Sequence, residues 1–461
     1  MPRSQTRIAS VMEQVRKQIA ARAYLPGARL PSVRQQARLS GVSVSTVVEA
    51  YERLAAENLI AARPGAGFFV SGPAAPLDLT QLTADKERDI DPLWISRQAL
   101  EADPQLLKPG CGWLPPSWLY EEGVRKAMRM AARAQSALLT DYASPYGHAE
   151  LRQFLGRKLA KTGITATADQ IMLTESGTQA VDLICRFLLQ PGDCVLVDDP
   201  CYFNFHALLR AHPVMIVGVP FTPQGPDLTA FAQILQNHAP RLYITNAGFH
   251  NPTGVSLTPV VAHQMLKLAE AAGLIIVEDD IFADFETHPA PRLAAYDGLH
   301  NVIQIGSFSK TVSAAVRCGY IVARRDWTDS LVDLKIATSF GGGQLASMLL
   351  HSALTGSGYR RHMESVRLRL AVAMQTTLEK LAALDILPWH TPQAGMFLWC
   401  RLPEGADAAR ASRACLKEGV VLAPGNAFSQ SGSAADFLRF NVSQCNDPAI
   451  FSALKRALKQ G

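Results

Sequence analysis

Four short runs place polar side chains where apolar stretches end, the position at which open α/β sheets present their ligand-binding residues. Gln170–Thr174 leads into Glu175-Ser176-Gly177-Thr178-Gln179-Ala180, a small-residue turn that opens a helix. The first N–H groups of that helix, with the side chains of Ser176, Thr178 and Gln179, can cradle a phosphate. Tyr243–Thr245 precedes Phe249-His250-Asn251-Pro252-Thr253-Gly254, and Leu274–Val277 runs straight into Glu278-Asp279-Asp280. Val302–Ile305 leads to Gly306-Ser307-Phe308-Ser309-Lys310, with Arg317 seven residues later. Singly, each has an ordinary alternative: a surface lysine, a solvated acidic turn, an asparagine capped by Pro252, a common helix N-cap. Their order, each at a strand end, is what unrelated alternatives rarely reproduce.

A different kind of chemistry is available near the start of the chain. Val42-Ser43-Val44-Ser45-Thr46-Val47 opens a helix in which Ser43 is a good N-cap. Ser43, Ser45 and Thr46 can offer short donors to phosphates or base edges. Arg34 and Arg63 flank that helix and can neutralise phosphates, which gives salt-dependent affinity. Gly65 and Gly67 let a wing backbone approach a minor groove. The alternative is a small basic helical domain used for protein contacts.

These residues need elements to hold them. Ile8, Val11, Met12, Val15 and Ile19 recur at three- and four-residue steps, the pattern of an amphipathic helix. Pro26-Gly27 stops it, and helical stretches follow around Ser32–Leu39 and Ser43–Asn58. Leu59–Ala62, the turn Arg63-Pro64-Gly65-Ala66-Gly67 and Phe68-Phe69-Val70 predict a two-stranded wing. Three helices and a hairpin make a winged helix-turn-helix. Ser71-Gly72-Pro73-Ala74-Ala75-Pro76 begins a turn-rich stretch, so residues 1–72 form the head and 73–92 a linker. From about residue 145, helical stretches alternate with the apolar runs Gln170–Thr174, Cys194–Val197, Arg241–Thr245, Gly273–Val277, Asn301–Ile305 and Gly319–Val322. That alternation implies βαβ units and a mostly parallel sheet covered on both faces. The body is expected to span 93–461, with a large part at about 140–325 and a small C-terminal α+β part at about 326–461 that takes in the N-terminal segment.

Charge divides the chain at the same place. The whole 461-residue sequence carries a net +5, but residues 1–75 hold ten Lys/Arg against four Glu, a net +6. The remaining 386 residues, with 35 basic and 36 acidic, are net −1. With 48% hydrophobic residues a large core can be buried and global disorder is excluded. Met1–Ala20 lacks the apolar core of a secretory signal, and no run of 18 apolar residues suggests a membrane span. The eight Cys are scattered without a Cys-x-x-Cys, which argues against a zinc site or disulfide framework. A cytoplasmic protein with reduced thiols and no metal is expected.

Leu30-Pro31-Ser32-Val33-Arg34, Val42 to Val47, Ala50-Tyr51-Glu52-Arg53-Leu54 and Arg63 to Val70 together resemble the DNA-binding domain of the GntR family. The four strand-end runs of the body resemble fold-type I pyridoxal-phosphate enzymes of the aspartate aminotransferase superfamily. A GntR-like head on such a body looks like the MocR subfamily of bacterial regulators. The resemblance implies Lys310 as the Schiff-base lysine, its loss of charge favoured by burial and by Arg317. It implies that Asp279 pairs with the pyridinium nitrogen and that Asn251 donates to the ring phenolic oxygen. Ser176, Gly177, Thr178, Ser307 and Arg317 would hold the phosphate, and Tyr202 would stack on the ring. Tyr142, five residues before Gly147, matches a tyrosine that reaches the phosphate of a neighbouring subunit in a head-to-tail homodimer. Arg439, in Leu438-Arg439-Phe440-Asn441, matches the arginine that forks onto a substrate carboxylate.

The chain departs from these patterns in four places. Val44 stands where the GntR family often has a base-reading Arg, which puts guanine readout there in doubt. Asn58 occupies a usual Gly position, where Asn can adopt the left-handed conformation anyway. Asn204 stands where some relatives supply a second carboxylate-binding Arg. Phe282 stands three residues after Asp279 where a tyrosine usually donates to the ring oxygen. Without that donor the oxygen is more basic and the protonated imine is favoured, so transamination is expected to be slow or absent. The leading reading is thus a regulator that binds a double-stranded DNA operator and senses pyridoxal phosphate, an amino acid or an amine. The rivals are a working aminotransferase with an accessory DNA-binding domain, and a DNA-binding protein with a purely structural body.

Overall fold

The computed structural model describes residues 7–20, 24, 28–63, 67–71, 100, 105–246 and 248–459. The chain divides into two compact units, Met1–Arg88 and Asp89–Gly461.

In the first unit, helix α1 (Arg7–Ala20) lays Val11, Met12 and Val15 on Val47, Tyr51 and Leu54 of helix α3 (Val44–Ala56). Helix α2 (Val33–Ser40) starts where Ser32 Oγ accepts from Gln35 N at 3.3 Å and stops at Gly41, whose φ of 64° is left-handed. Tyr51 is fully buried and its hydroxyl donates to the Pro31 carbonyl at 3.1 Å. Asn58 follows α3 at φ 57°, the left-handed geometry anticipated for an asparagine in place of glycine. Strands β1 (Ile60–Arg63) and β2 (Gly67–Val70) pair antiparallel from Ile60↔Val70 to Arg63↔Gly67 as the wing. Segment 28–30 adds to β2, with Leu30 N donating to Phe68 O at 2.9 Å and Val70 N to Ala28 O at 3.0 Å. The wing turn with Gly65, and the linker expected at 73–92, lie outside the described residues.

The second unit is built on an eight-stranded sheet. Its strands are β3 (Ile171–Thr174), β4 (Cys194–Asp199), β5 (Met215–Thr222), β6 (Gly225–Pro226), β7 (Leu242–Thr245), β8 (Ile275–Asp279), β9 (Val302–Ser307) and β10 (Gly319–Val322). The order is β3-β10-β9-β8-β7-β4-β5-β6. Strands β3, β7, β8, β9 and β10 are buried along their whole length, as continuous apolar runs covered on both faces should be. The central strands β9, β8, β7, β4 and β5 are parallel. β10 runs antiparallel to both β3 and β9, because the segment 308–318 that joins it to β9 contains no helix to carry a crossover. Helices Arg325–Ser339 and Gln344–Thr355 pack their buried residues, among them Leu331, Val332, Leu350 and Leu354, into the cores of this sheet.

A smaller antiparallel sheet follows, β11 (Leu387–Pro388), β12 (Phe397–Arg401), β13 (Ala423–Pro424) and β14 (Phe437–Asn441), in the order β11-β12-β14-β13. Helices Tyr359–Ala382, Ala408–Lys417 and Pro448–Lys459 cover it through Leu370, Ala411 and Ile450. Residues 107–110 are stitched to the same layer: Gly110 N donates to Val421 O at 2.9 Å and Asn441 N to Pro109 O at 2.7 Å. Gly110 is required by that approach, since a Cβ there would stand 2.4 Å from the Leu422 carbonyl carbon. The stitch carries residues 110–113 to the cavity described below. Among the described residues no helix is long and apolar enough to cross a membrane.

Candidate cofactor and effector site

At the carboxyl ends of β3, β8 and β9 lies a cavity of about 800 Å³, closed on the other side by residues 110–113 and by β14. Asp279 ends β8 and lines it, with its Oδ1 accepting from Ile281 N at 3.1 Å. Burial is the main influence on its carboxyl, which is pushed up to about 7. The neighbouring acids are not solvated. Glu278 is fully buried and accepts from Leu293 N at 2.8 Å and Ala294 N at 3.0 Å. Asp280 takes Arg292 Nε at 2.8 Å and Gln304 Nε2 at 3.0 Å, while Arg292 Nη2 reaches Glu286 at 2.7 Å. This buried network fixes the backbone next to Asp279.

Lys310 lines the same cavity, its Nζ 5.7 Å from the centroid of the Trp113 ring. Desolvation lowers it to about 8, helped by the positive charge of Arg439 and, more weakly, of Arg317. Arg439 is thus the stronger cationic neighbour, a part the sequence suggested for Arg317. Arg439 has no exposure. It donates from Nη1 to Asn251 Oδ1 at 2.9 Å and from Nη2 to Gly110 O at 2.6 Å, and its Nε has no partner. Its guanidinium lies over the rings of Phe397 and Phe428, 4.5 and 4.8 Å from their centroids.

Ser176 caps the helix Gly177–Leu188 by accepting from Gln179 N at 3.0 Å, so the turn signal of the sequence marks a helix N-terminus open to the cavity. Facing it, Ser307 Oγ lies 3.0 Å from Ser309 Oγ and donates to Cys318 O at 3.2 Å. A Cβ on Gly177 would stand 4.0 Å from Ser307 Cβ, so the start of the helix and the end of β9 lie side by side at this end of the cavity. Thr178, Arg317 and half-buried Tyr202 complete this end, the Tyr202 ring lying 5.1 Å from Phe203. Phe282 lines the cavity with its ring edge-on to Phe397 at 5.4 Å, so no hydroxyl is available there.

Tyr142 is not brought in. It is 81% exposed and rests on Phe340, 5.1 Å between ring centroids. Asn246, Trp113 and Ser309 line the cavity without having been singled out from the sequence. Asn246 directly follows the apolar run Tyr243–Thr245 and Ser309 precedes Lys310, signals that strand-end logic could have used. Trp113 lies in Gly110-Cys111-Gly112-Trp113, which has no periodicity to mark it.

In the head, Ser43 caps α3 by accepting from Thr46 N at 3.2 Å, and its hydroxyl lies 2.9 Å from Ser45 Oγ and 2.7 Å from Thr46 Oγ1. Ser43 and Ser45 are exposed, as is Arg34 on α2, and Thr46 is half-buried. Arg63 ends β1, and Gly67 opens β2 at φ 100°.

A winged helix-turn-helix unit and a body with a strand-end cavity of this kind define a DNA-binding module fused to an aminotransferase-type domain. Residues 7–70 match the gntR family of bacterial regulatory proteins, and residues 119–456 match the aminotransferase class I and II family. The chain belongs to this GntR–aminotransferase fusion family, the MocR type of regulator. It is 30% identical over 443 residues to the HTH-type transcriptional regulator YdcR of Escherichia coli (strain K12), covering 93% of each chain. It is 28% identical to the HTH-type transcriptional regulator NorG of Staphylococcus aureus (strain USA300), over 80% of this chain and 86% of that protein. Among solved structures it resembles the α-aminoadipate aminotransferase LysN of Thermus thermophilus, with a TM-score of 0.70 and 28% identity over 77% of this chain and 92% of that one. It shares the fold of a Pyrococcus horikoshii kynurenine aminotransferase, TM-score 0.73 at 24% identity, over 83% of this chain and 98% of that one.

The cofactor of this family is pyridoxal 5′-phosphate, and the cavity fits it. A helix N-terminus, the hydroxyls of Ser307 and Ser309 and the Arg317 guanidinium line one end of the cavity, which suits a phosphate. A lysine of lowered basicity and a buried carboxyl line the same walls, which suits an aldehyde and a ring nitrogen.

Proposed function

We propose that this chain is a transcriptional regulator whose head binds operator DNA and whose body senses pyridoxal phosphate, or an amino acid or amine, at Lys310. The convergence on one cavity of a lysine of lowered basicity, a buried carboxyl and an arginine with an unpartnered Nε carries this reading.

When bound, pyridoxal phosphate supplies an aldehyde that amines capture and a ring that withdraws electrons. Lys310 is the amine that holds the aldehyde carbon, and burial keeps its proton easy to lose. Asp279 keeps a proton at the ring nitrogen. The Asn251 Oδ1 is taken by Arg439, which leaves Nδ2 to donate to the ring oxygen. Ser176, Gly177, Thr178, Ser307 and Arg317 hold the phosphate, and Tyr202 covers the ring. Exposed Tyr142 serves the phosphate of a neighbouring subunit in a head-to-tail dimer. Arg439 would receive the carboxylate of an amino-acid effector whose amine competes with Lys310 for the aldehyde. In the head, Arg34, Arg63 and the backbone at Gly65 and Gly67 meet phosphates, while Ser43, Ser45 and Thr46 approach base edges. The effector acts on DNA binding by its differential affinity for two arrangements of the protein.

The second reading, a working aminotransferase, is favoured by the completeness of the donor set. Phe282, which offers no hydroxyl at the ring oxygen, weighs against it. Footprinting on the chain's own upstream DNA, with and without pyridoxal phosphate, is run beside a single-turnover amino-acid assay. Specific protection without turnover supports the regulator, and rapid turnover without protection sinks it.

A further inference from the structure

We infer that α3 reads its operator through thymine methyl groups, using Val44 and Val48. This deepens the DNA-binding reading above and rests on it.

Val44 is 48% exposed and Val48 36%, four residues apart on one face of α3, while Val47, Ala50, Tyr51 and Leu54 fill the head's core from the other. Neither exposed valine belongs to that core. The Ser43 hydroxyl is largely engaged locally, accepting from Thr46 N and lying within hydrogen-bond distance of the Ser45 and Thr46 hydroxyls, whose remaining capacity can meet base edges beside the valines. The only cation within Val44–Ala56 is Arg53, in the last turn, and it is paired with Glu49 at 2.5 Å. The first turns of α3 therefore carry no guanidinium or ammonium that could grip guanine O6 and N7, the commonest specific contact in the major groove. What they carry is branched methyl groups. Among the four bases only thymine shows an apolar group in that groove, its C5-methyl. Residues i and i+4 are about 6 Å apart along a helix, which is about two base-pair steps of 3.4 Å. The half-site read by α3 accordingly contains thymines about two steps apart at its centre.

The test uses the full chain with pyridoxal phosphate. Duplexes are selected from a random library, and each thymine of the selected half-site is then replaced by deoxyuridine, which deletes only the methyl. Two thymines are expected whose replacement weakens binding about fourfold each, the worth of one buried methyl-sized group. Val44→Ala should erase the deoxyuridine penalty at one of them and Val48→Ala at the other, as coupled pairs do in a double-mutant cycle. Val44→Arg should turn the preference at its position towards guanine. Neither valine belongs to the head's core, so a circular-dichroism melt of each variant should show the head folded. Selected half-sites with guanine under α3, or binding indifferent to deoxyuridine, would overturn the inference while leaving DNA binding intact. A library that yields no preferred duplex at all would bring down the DNA-binding reading and this inference with it.

Discussion

Arg439 and Asn251 orient one another at the wall of the cavity: the guanidinium Nη1 donates to the amide Oδ1 at 2.9 Å. A guanidinium has only donors, so the Asn251 oxygen must face it and the amide nitrogen is turned elsewhere. Arg439 is fully buried, and among the described residues no carboxylate forms an ion pair with it. Buried cations without an anion are costly, and the flanking rings of Phe397 and Phe428 offset only part of that cost. An effector carboxylate, as proposed above, would supply the missing anion. Replacing Arg439→Gln should weaken binding of an amino acid by about 10- to 100-fold, the worth of hydrogen bonds to a charged group. Binding of the corresponding decarboxylated amine should barely change. Spectral titration of the bound cofactor with both ligands decides it, and equal losses for the two would refute the assignment.

Lys310 gives a prediction in pH. Burial and the charge of Arg439 lower its basicity from 10.5 to about 8, so its neutral form accumulates well below the range of an ordinary lysine. The rate at which the apoprotein captures pyridoxal phosphate should rise with pH and level off above about 8, not above 10.5. Arg439→Gln, by removing a like charge, should move that midpoint upward. Stopped-flow absorbance across about pH 6–10, in buffers without primary amines, reads both shifts. A midpoint that stays put in the variant would show that burial alone sets it.

Asp279 makes the opposite excursion. Its carboxyl is raised from 3.8 to about 7, chiefly by burial, so the apoprotein folds with it protonated at low pH. The stabilisation this gives is complete below pH 3.8 and is lost as pH rises through about 7. Asp279→Asn mimics the protonated form at every pH. The apo variant should match the parent near pH 4 and be more stable by about 2–4 kcal/mol at about pH 8. Urea unfolding of both apoproteins at the two pH values measures the difference. The same variant should bind pyridoxal phosphate more weakly, because an amide cannot hold a proton at the ring nitrogen. Stability and cofactor binding are opposed at this residue.

Much of this site was legible because β3, β8 and β9 are buried on both faces and read as apolar runs, with Ser176, Asp279 and Lys310 just past or at their ends. What escaped depended on non-local geometry. The reversed direction of β10 is decided by the helix-free connection from β9, which an apolar run cannot reveal. β5 is only partly buried and carries Gly218 and Pro220, so it shows neither strict alternation nor a continuous apolar run. Arg292 reaches Asp280 across 12 residues and Arg439 reaches Asn251 across 188, pairings that no local pattern encodes. The acids beside Asp279 look like a solvated turn in sequence and are buried in the structure because Arg292 and two backbone N–H groups receive them.

Phe282 offers a test of whether the proposed sensor is held back from turnover. It is buried at 6% exposure, lines the cavity, and meets Phe397 edge-on at 5.4 Å. A tyrosine in its place needs room only for one oxygen on the cavity side, so Phe282→Tyr should fold normally. The new hydroxyl adds a donor at the ring oxygen beside that of Asn251. It should lower the midpoint of the spectral titration of the cofactor–Lys310 linkage by about one to two pH units, since a hydrogen bond to a charged oxygen is worth about 1.5–3 kcal/mol. The linkage would then lose its proton more readily, and amines would exchange faster in a single-turnover assay. An unchanged midpoint would mean that Asn251 already satisfies the oxygen, and slow chemistry would have to be sought elsewhere in the cavity. A lowered midpoint with turnover appearing would locate at one missing hydroxyl the difference between a sensor and an aminotransferase.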